Sequence, residues 1–373
     1  MIAKSLFLFI LLILLPDVVL WWRYLKQKPR WAQVAWFVPG LLLIVMAIWL
    51  SRQPDFVPDD MTWINVFLLF MGLIALPKLL FAITAFCGRK GWIVSSVLTP
   101  LVWFVLIYGA FFGPEQLEVR CVELSFSDLP AGFDGYRIVQ FSDAHVGSID
   151  SLLLQRAVDS INAEKADLVV FTGDLQNKEP QEILHYQPLL STIKGKDGVV
   201  SVIGNHDYSD YIDAPYDVKA MNEEYTIGMQ QDMKWTVLVN GRKRICRDGD
   251  TIYVAGLDND GEGRFPQRGN INAALWGLSR ETFVVMLEHD PSAWRRKILP
   301  HSHAQLTLSG HTHGMQFRLF GWSPLSLFQR HVQGLYQAGP RYLYVSKGLG
   351  GVVPFRFGCK PEIVVITLRK VRD

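Results

Sequence analysis

The sequence predicts four membrane helices over residues 1–114, followed by a layered α/β domain over residues 115–373. Long apolar runs fill the first part, and short runs rich in Val, Ile, Leu, Phe and Tyr recur through the second. Charge is uneven as well, with nine Lys/Arg and four Asp/Glu in residues 1–114 and 28 basic and 31 acidic residues beyond. No basic stripe accumulates in the second part, which argues against nucleic acid as a partner.

Four apolar stretches, at residues 6–24, 34–50, 63–86 and 92–112, are each long enough to cross a bilayer as a helix. Tryptophans lie near their ends, where an amphipathic ring prefers the headgroup level: Trp21, Trp22, Trp31, Trp63 and Trp92. The first stretch has only Lys4 ahead of it and no small-residue cleavage site behind it, so we expect a retained helix rather than a signal peptide. These features predict a multi-pass protein of the cytoplasmic (inner) membrane, with the lipid bilayer as a partner.

The loops between these stretches predict an orientation. Basic residues follow the first and third stretches: Arg23, Lys26, Lys28, Arg30, Arg89 and Lys90. The loop after the second stretch sets Arg52 against Asp55, Asp59 and Asp60. By the positive-inside bias, the first and third loops are cytoplasmic and everything after residue 114 is extracytoplasmic. Within the stretches, we expect Lys78 to snorkel and Asp17 to reach the headgroups, in a bundle without a transport role.

The second part contains eight short apolar runs, each of four to six residues, which suits buried strands. They lie at residues 136–141, 168–171, 199–203, 252–257, 283–287, 305–308, 342–345 and 363–368. Apolar residues recur at helical spacing over 151–164, which predicts a crossover helix between the first two strands. Strands with intervening helices indicate a layered α/β domain.

Five of these strands end in turns that carry Asp, Asn or His. The turns contain Asp143 and His145; Asp174; Asn205, His206 and Asp207; His289; and His311 and His313. The carboxyl ends of strands are where α/β sheets build sites. Oxygen and imidazole ligands without thiolate suit a divalent metal such as manganese, iron or zinc. The four cysteines show no CxxC spacing and support neither a zinc knuckle nor a disulfide framework, although pairing of Cys246 with Cys359 stays open.

The turns resemble those of the calcineurin-like metallophosphoesterases. That family's blocks are Asp-x-His, Gly-Asp, Gly-Asn-His-Asp/Glu, a lone His and Gly-His-x-His, and all five occur here in order across residues 143–313. Residues 347–351 and 356–362 resemble the membrane-anchored bacterial branch, and the resemblance covers about residues 117–370. It implies a four-layer αββα sandwich, preceded here by an all-α transmembrane region, and a phosphoric ester hydrolase.

The resemblance also implies a role for each residue. Asp143, His145 and His313 would hold one divalent metal. Asn205, His289 and His311 would hold a second, with Asp174 bridging both. A hydroxide shared by the metals would attack phosphorus, and His206 would stabilise the transition state or protonate the leaving oxygen. Asp207 either orients His206 or caps its turn.

Two positions depart from the family pattern. Asn177 stands where many relatives carry an acid, and Met315 stands where many carry glycine. Neither position supplies a metal ligand in the family, so the implied activity is not affected.

The segment 316–339 allows two interpretations. It is rich in large apolar residues: Phe317, Leu319, Phe320, Trp322, Leu325, Leu327 and Phe328. It is either a loop packed over the core or an apolar flap beside the metals that meets the bilayer or an acyl chain. Arg318, Arg330 and Arg341 either pair with substrate phosphate or are solvated surface residues.

Three functions remain after these observations. The first is hydrolysis of a phosphoester or pyrophosphate bond in a membrane-associated substrate, and the tether favours a lipid-linked phosphate. The second is a cytoplasm-facing hydrolase of a nucleotide-linked lipid precursor, which needs the opposite topology. The third is a non-catalytic, membrane-bound metal-binding assembly factor. The presence of His206 argues against the third, because a purely structural site does not need that group.

Overall fold

The computed structural model describes residues 2–58, 60–327 and 329–371, without the side chains of Lys4, Pro324 and Leu325. Asp59 of the topology argument and Phe328 of the apolar segment lie outside the described residues. Contacts divide the chain into two units, Met1–Phe112 and Gly113–Asp373.

The first unit is helical, as its composition predicts. Its helices are α1 (Ile2–Leu20), α2 (Arg30–Ser51), α3 (Thr62–Thr84) and α4 (Gly88–Phe111), and a π-helical turn, Trp21–Leu25, continues α1. Three segments of the described chain are long and apolar enough to cross a membrane: Ser5–Leu25, Arg30–Ser51 and Thr62–Phe111.

The third apolar segment holds two helices, because α3 and α4 fold back on each other. Gly88 adopts a φ of 58° at the turn between them. The hydroxyls of Thr84 and Ser95 share a hydrogen bond of 2.7 Å, and further along the pair Trp103 Nε1 donates to the Leu73 carbonyl at 2.9 Å. A helix rises about 1.5 Å per residue, so each half alone matches a hydrocarbon core about 30 Å thick.

Lys78 and Asp17 form an ion pair with each other, whereas the sequence-based expectation treated them as two separate residues. Lys78 Nζ lies 2.6 Å from Asp17 Oδ1, and both side chains are largely buried between helices. Trp36 covers the pair, with its ring centroid 4.4 Å from the ammonium and its Nε1 donating to the Asp17 carbonyl. A charge in an apolar span is costly to leave alone, so pairing replaces snorkelling. The sequence could not show that α1 and α3 align these two residues.

The described residues of the second unit form twelve strands in two sheets. They are β1 (Glu118–Phe126), β2 (Arg137–Phe141), β3 (Leu168–Thr172), β4 (Val199–Val202), β5 (Trp235–Val237), β6 (Gly241–Arg247), β7 (Asp250–Gly256), β8 (Val284–Leu287), β9 (Leu306–Ser309), β10 (Gly334–Ala338), β11 (Arg341–Val345) and β12 (Glu362–Lys370). One sheet has the order β1-β12-β2-β3-β4-β5, and the other β10-β11-β9-β8-β7-β6. All eight predicted strands form; β1, β5, β6 and β10 were not predicted.

In β2 and β3, alternate side chains belong to two different hydrophobic cores. Ile138, Leu168 and Val170 lie in the core between the sheets, together with Val285 and Leu306 of the second sheet. The alternate residues of β2 and β3 face outward and pack against helices. This alternation is expected of strands buried on both faces.

Helices cover the outer faces of both sheets. They are α5 (Ser151–Ala163), α6 (Gln181–Leu184), α7 (Gln187–Leu190), α8 (Tyr216–Asp232), α9 (Ile271–Ala274) and α10 (Leu299–His301). The predicted crossover helix is α5, and Asp150 caps it by accepting a hydrogen bond of 2.9 Å from the Leu153 amide. Helices α5 and α8 pack on the first sheet, and α9 packs on the second. The result is the expected αββα order of layers.

Candidate metal centre

Five strand ends bring the predicted residues together at one edge of the sandwich. In the first sheet, β2, β3 and β4 are parallel neighbours, and their carboxyl ends carry Asp143 and His145, Asp174, and Asn205. In the second sheet, β8 and β9 are parallel neighbours, followed by His289, His311 and His313. Hydrogen bonds join the two edges: among them, Gln140 Nε2 donates to the Ser309 carbonyl at 2.9 Å, and the His311 amide donates to Asp143 Oδ1 at 3.0 Å.

One group of candidate ligands consists of Asp143, His145 and His313. Their ligand atoms all lie within 4.8 Å of one another. His313 Nε2 is 3.7 Å from Asp143 Oδ1, and His145 Nε2 is 3.7 Å from Asp174 Oδ2. These separations exceed a hydrogen bond and leave room for a cation between the groups.

The second group consists of Asp174, His289 and His311, again within 4.8 Å. His289 Nε2 lies 3.1 Å from Asp174 Oδ2. Asn205 belongs to the same neighbourhood, because the amide of the next residue, His206, donates to Asp174 Oδ1 at 2.8 Å. Asp174 therefore stands between the two groups.

Two buried polar atoms without hydrogen-bond partners among the described residues indicate that this set of ligands suits divalent cations. Asn205 Oδ1 and His145 Nε2 are buried and have no hydrogen-bond partner among the described residues. A buried polar atom without a partner is costly, and a metal ion is a partner that both an amide oxygen and an imidazole nitrogen accept. The residues present therefore fit the metals that the sequence implies.

The backbone around these ligands is strained. Asp143, His145, Asp174, His311 and His313 all have positive φ, between 47° and 71°. Each such residue costs about 1–3 kcal/mol and persists only where its surroundings hold it, most often at a functional site. Glycine is needed beside them: a Cβ on Gly204 would lie 2.2 Å from Asp174 Oδ1, and one on Gly310 would lie 2.0 Å from Ser142 Oγ.

Burial and mutual charge shift the pKa values of the cluster. Burial raises the pKa of Asp143 to about 7 and lowers that of His145 to about 3. Burial also acts to raise the pKa of Asp174, but the neighbouring His289 and His206 outweigh it and lower that pKa. The Asp174 carboxylate in turn raises the pKa of His289 to about 10, against the effect of burial. Without a cation, the Asp174 carboxylate therefore favours the protonated form of His289.

His206 is held by its neighbours rather than by Asp207. Its Nδ1 lies 2.5 Å from the Asn177 carbonyl oxygen, which can only accept, so Nδ1 carries the proton. Its ring stacks on Tyr211, with centroids 4.1 Å apart and planes at 19°. The interpretation of Asp207 as an orienting residue for His206 is wrong.

Asp207 instead joins the turns that carry Asp174 and Asn205. Its carboxylate accepts hydrogen bonds from the amides of Asp174, Leu175 and Gly204 at 2.8–2.9 Å. Two strand ends are thereby fixed to one buried side chain. Asp207 therefore caps its turn, as one of the two interpretations predicted, and it caps the neighbouring turn as well.

Two further residues touch the site and were not predicted as parts of it. Asn177 Oδ1 lies 3.0 Å from His145 Nδ1, and Tyr211 Oη accepts a hydrogen bond of 2.8 Å from Asn205 Nδ2. Asn177 appeared in the sequence only as a departure from the family pattern. Tyr211 lies in the loop before α8, where no periodicity or turn motif distinguishes it.

A cavity of about 540 Å³ opens beside His311. Its wall includes Asp290, Arg295, Arg330 and His331. Arg295 Nε donates to His331 Nε2 at 3.3 Å, so His331 is part of this wall. Arg341, in contrast, donates to the carbonyls of Leu299 and Ala304 and is a structural residue.

None of the four cysteines, all of which the structure describes, is a candidate metal ligand, although the Cys359 thiol donates to the His313 carbonyl at 3.3 Å. All four are free thiols in the structure: Cys87, Cys121 and Cys246 are exposed and Cys359 is buried. The pairing left open between Cys246 and Cys359 is not formed.

Comparison with known proteins agrees with this geometry. Residues 136–315 match the family model described as calcineurin-like phosphoesterase. The chain is 35% identical to the metallophosphoesterase YkuE of Bacillus subtilis, over 70% of this chain and 89% of that protein. A metallophosphoesterase of Aquifex aeolicus is 26% identical over 72% of this chain and 98% of its own length.

A vertebrate relative bears on the helical unit. The transmembrane protein with metallophosphoesterase domain of Danio rerio is 30% identical over 74% of this chain, which spans 63% of that relative. With the three apolar segments, this likeness indicates a membrane protein.

The two-sheet sandwich, with its carboxylates and imidazoles at adjoining strand ends, defines a phosphoester hydrolase that uses divalent metal ions. The chain belongs to the calcineurin-like metallophosphoesterase family.

Proposed function

We propose that this chain hydrolyses a phosphoester or pyrophosphate bond of a membrane-associated substrate, with two divalent cations held at the seven predicted ligands. The observation that carries the proposal is the position of Asp174, whose carboxylate stands between the two ligand groups. Manganese, iron and zinc all suit this set of oxygen and nitrogen donors.

The residues divide the chemical work. When bound, two cations polarise the phosphoryl group and lower the pKa of a nucleophilic water. Asp143, His145 and His313 would hold one cation, and Asn205, His289 and His311 would hold the other, with Asp174 between the two groups as a ligand available to both. His206 donates its Nδ1 proton to the Asn177 carbonyl, so its Nε2 would stabilise the phosphoryl oxygens or protonate the leaving oxygen only when the ring carries a second proton there, as the imidazolium.

The tether and the cavity support a substrate at the membrane surface. The cavity beside His311 offers Arg295 and Arg330 to an anionic group, and guanidinium groups suit phosphate. A lipid-linked phosphate is already concentrated at the bilayer to which the chain is anchored. By the distribution of Lys and Arg in the loops, the catalytic unit lies outside the cytoplasm of a bacterial inner membrane.

A screen of the full chain in detergent tests the activity. Phosphomonoesters, phosphodiesters and lipid pyrophosphates are offered with several divalent metals, alongside Asp174→Ala and the exposed control Asp210→Ala. We expect hydrolysis by wild type and by Asp210→Ala, and a loss of at least about a hundredfold in Asp174→Ala.

Two results would contradict the proposal: metal analysis that finds no dinuclear site, or Asp174→Ala with full turnover. Accessibility of a C-terminal tag in intact cells tests the orientation separately. A tag reached only after permeabilisation would place the catalytic unit in the cytoplasm.

A further inference from the structure

We propose that residues 317–327, which we call the apolar flap, insert into the headgroup region of the bilayer beside the metal centre. The flap would present a membrane-borne phosphoester to the cavity, so this part of the inference rests on the proposed function. Insertion itself does not depend on that function.

The flap exposes large apolar side chains to solvent. Phe320 is 99% exposed and Leu327 73%, and Leu319 and Trp322 are also exposed. The interpretation of this segment as a loop packed over the core is therefore wrong for these four residues. Clustered exposed apolar groups mark interaction surfaces, whereas single ones are ordinary.

A tight hairpin presents the most exposed of these side chains. Leu319 and Trp322 exchange backbone hydrogen bonds of 2.9 and 3.0 Å around Phe320 and Gly321. Both central residues have positive φ, 50° and 83°, as a type I′ turn requires. Asn or Gly is preferred at the first central position, and a bulky residue there is strained. The stability of the fold does not explain a strained, fully exposed phenylalanine at the tip of this hairpin.

The base of the flap lies where the chain enters the catalytic unit. Its first turn is tied to the segment after Arg356: the Arg318 amide donates to the Phe357 carbonyl at 2.7 Å, and the rings of Phe317 and Phe357 stack. Gly113, the first residue of the catalytic unit, touches the same segment, because a Cβ there would lie 1.6 Å from the Arg356 carbonyl oxygen. Gly113 follows α4 by two residues in the sequence, so the base of the flap lies next to the point where the chain enters this unit.

Basic residues at both ends of the flap suit contact with a lipid surface. His313 precedes the flap, and Arg330 and His331, which line the cavity, follow it. Arg318 and Arg330 flank the apolar residues, and basic residues around an apolar loop suit anionic headgroups. The bilayer that holds the anchor is therefore the occupant that fits.

Fluorescence of the full-length chain in vesicles tests insertion. Cys87, Cys121 and Cys246 are replaced by serine, and Phe320→Cys is labelled with a polarity-sensitive dye. The vesicles contain phosphatidylcholine and phosphatidylglycerol, with spin labels on the acyl chains. Leu152→Cys is the matched control, because Leu152 is 71% exposed on α5 and lies outside the flap.

We expect the dye at position 320 to shift to the blue and to be quenched about twofold by acyl-chain labels, since an interfacial segment sits at the boundary of headgroups and acyl chains. The dye at position 152 should show neither effect. Equal behaviour at the two positions overturns the proposal, whether or not the protein hydrolyses any phosphoester.

Kinetics test delivery of the substrate. Phe320→Asn removes the apolar tip but keeps the hairpin, since Asn-Gly is favoured in a type I′ turn. In proteoliposomes, we expect its kcat/KM to fall about tenfold with a vesicle-embedded phosphoester and to stay unchanged with a water-soluble aryl phosphoester. Leu152→Asn should change neither. An equal loss with both substrates would show a disturbed metal centre and overturn the role in delivery.

Discussion

Tyr211 should position both a metal ligand and His206, and its two contacts can be removed one at a time. Its hydroxyl accepts a hydrogen bond of 2.8 Å from Asn205 Nδ2, which turns Asn205 Oδ1 to the position without a protein partner. Its ring stacks on His206 at 4.1 Å. Tyr211→Phe removes the first contact only, and Tyr211→Leu removes both.

The two contacts set the expected magnitudes. A hydrogen bond of this kind contributes about 0.5–1.5 kcal/mol, so Tyr211→Phe should weaken binding of the cation at Asn205 about two- to tenfold. Its kcat at saturating metal should stay within about twofold of wild type, because the ring still holds His206. An aromatic pair adds about 0.5–1.5 kcal/mol, so Tyr211→Leu should also lower kcat by up to about tenfold at saturating metal.

The assay is a metal titration of activity with the full chain in detergent, fitted for metal affinity and kcat. Tyr225→Phe is the control, since Tyr225 is an exposed tyrosine on α8. We expect the two variants to differ. Tyr211→Phe should change metal affinity alone, and Tyr211→Leu should change both metal affinity and kcat. If Tyr211→Phe bound metal as wild type does, or if Tyr211→Leu kept full kcat, Tyr211 would be only a packing residue.

Three further predictions follow from the site. Asp207→Ala should lower the unfolding temperature of the chelator-treated protein by at least about 5 °C, measured by thermal melts, because it leaves three buried amides unpaired; an unchanged melt would contradict this. Asn177→Leu should weaken metal affinity about 10–100-fold in equilibrium dialysis, since His145 loses its partner at Nδ1, whereas unaltered affinity would remove Asn177 from the site. Chelation should abolish activity, and the affinity for returned metal should rise as pH increases through about 7, the pKa to which burial raises Asp143, because the carboxyl must lose its proton to bind a cation; affinity independent of pH would contradict this.

Most of the strands that the sequence predicted are buried along most of their length. β8 is a continuous apolar run, β3 is apolar up to its last residue, Thr172, and every residue of both strands is buried. The strands it missed have a polar or exposed side. β1 alternates Val119, Cys121 and Glu123 with Val122, Leu124 and Phe126, and its inner residues are buried only from residue 124 onward. That alternation is present in the sequence, but the strands were predicted from short apolar runs, and β1 contains no such run.

The candidate ligands could be predicted because they lie in five turns that directly follow strands and match the blocks of the family pattern. Their partners could not. Asn177 reaches His145 across 32 positions, and Lys78 reaches Asp17 across 61. A side chain's partner across such a distance depends on how the elements pack, and local pattern does not carry that information. The sequence therefore indicated which residues bear the chemistry, while the fold decides what orients them.

The exposure of the apolar flap could not be predicted from the sequence either. Its composition was compatible with burial or with exposure, and only the structure distinguishes them. At the tip, Phe320 stands where an asparagine would relieve backbone strain and expose less apolar surface. Folding stability alone does not favour that residue. By our proposal, contact with the apolar region of a bilayer explains a phenylalanine at this tip, in a flap whose base lies next to the residue where the chain enters the unit.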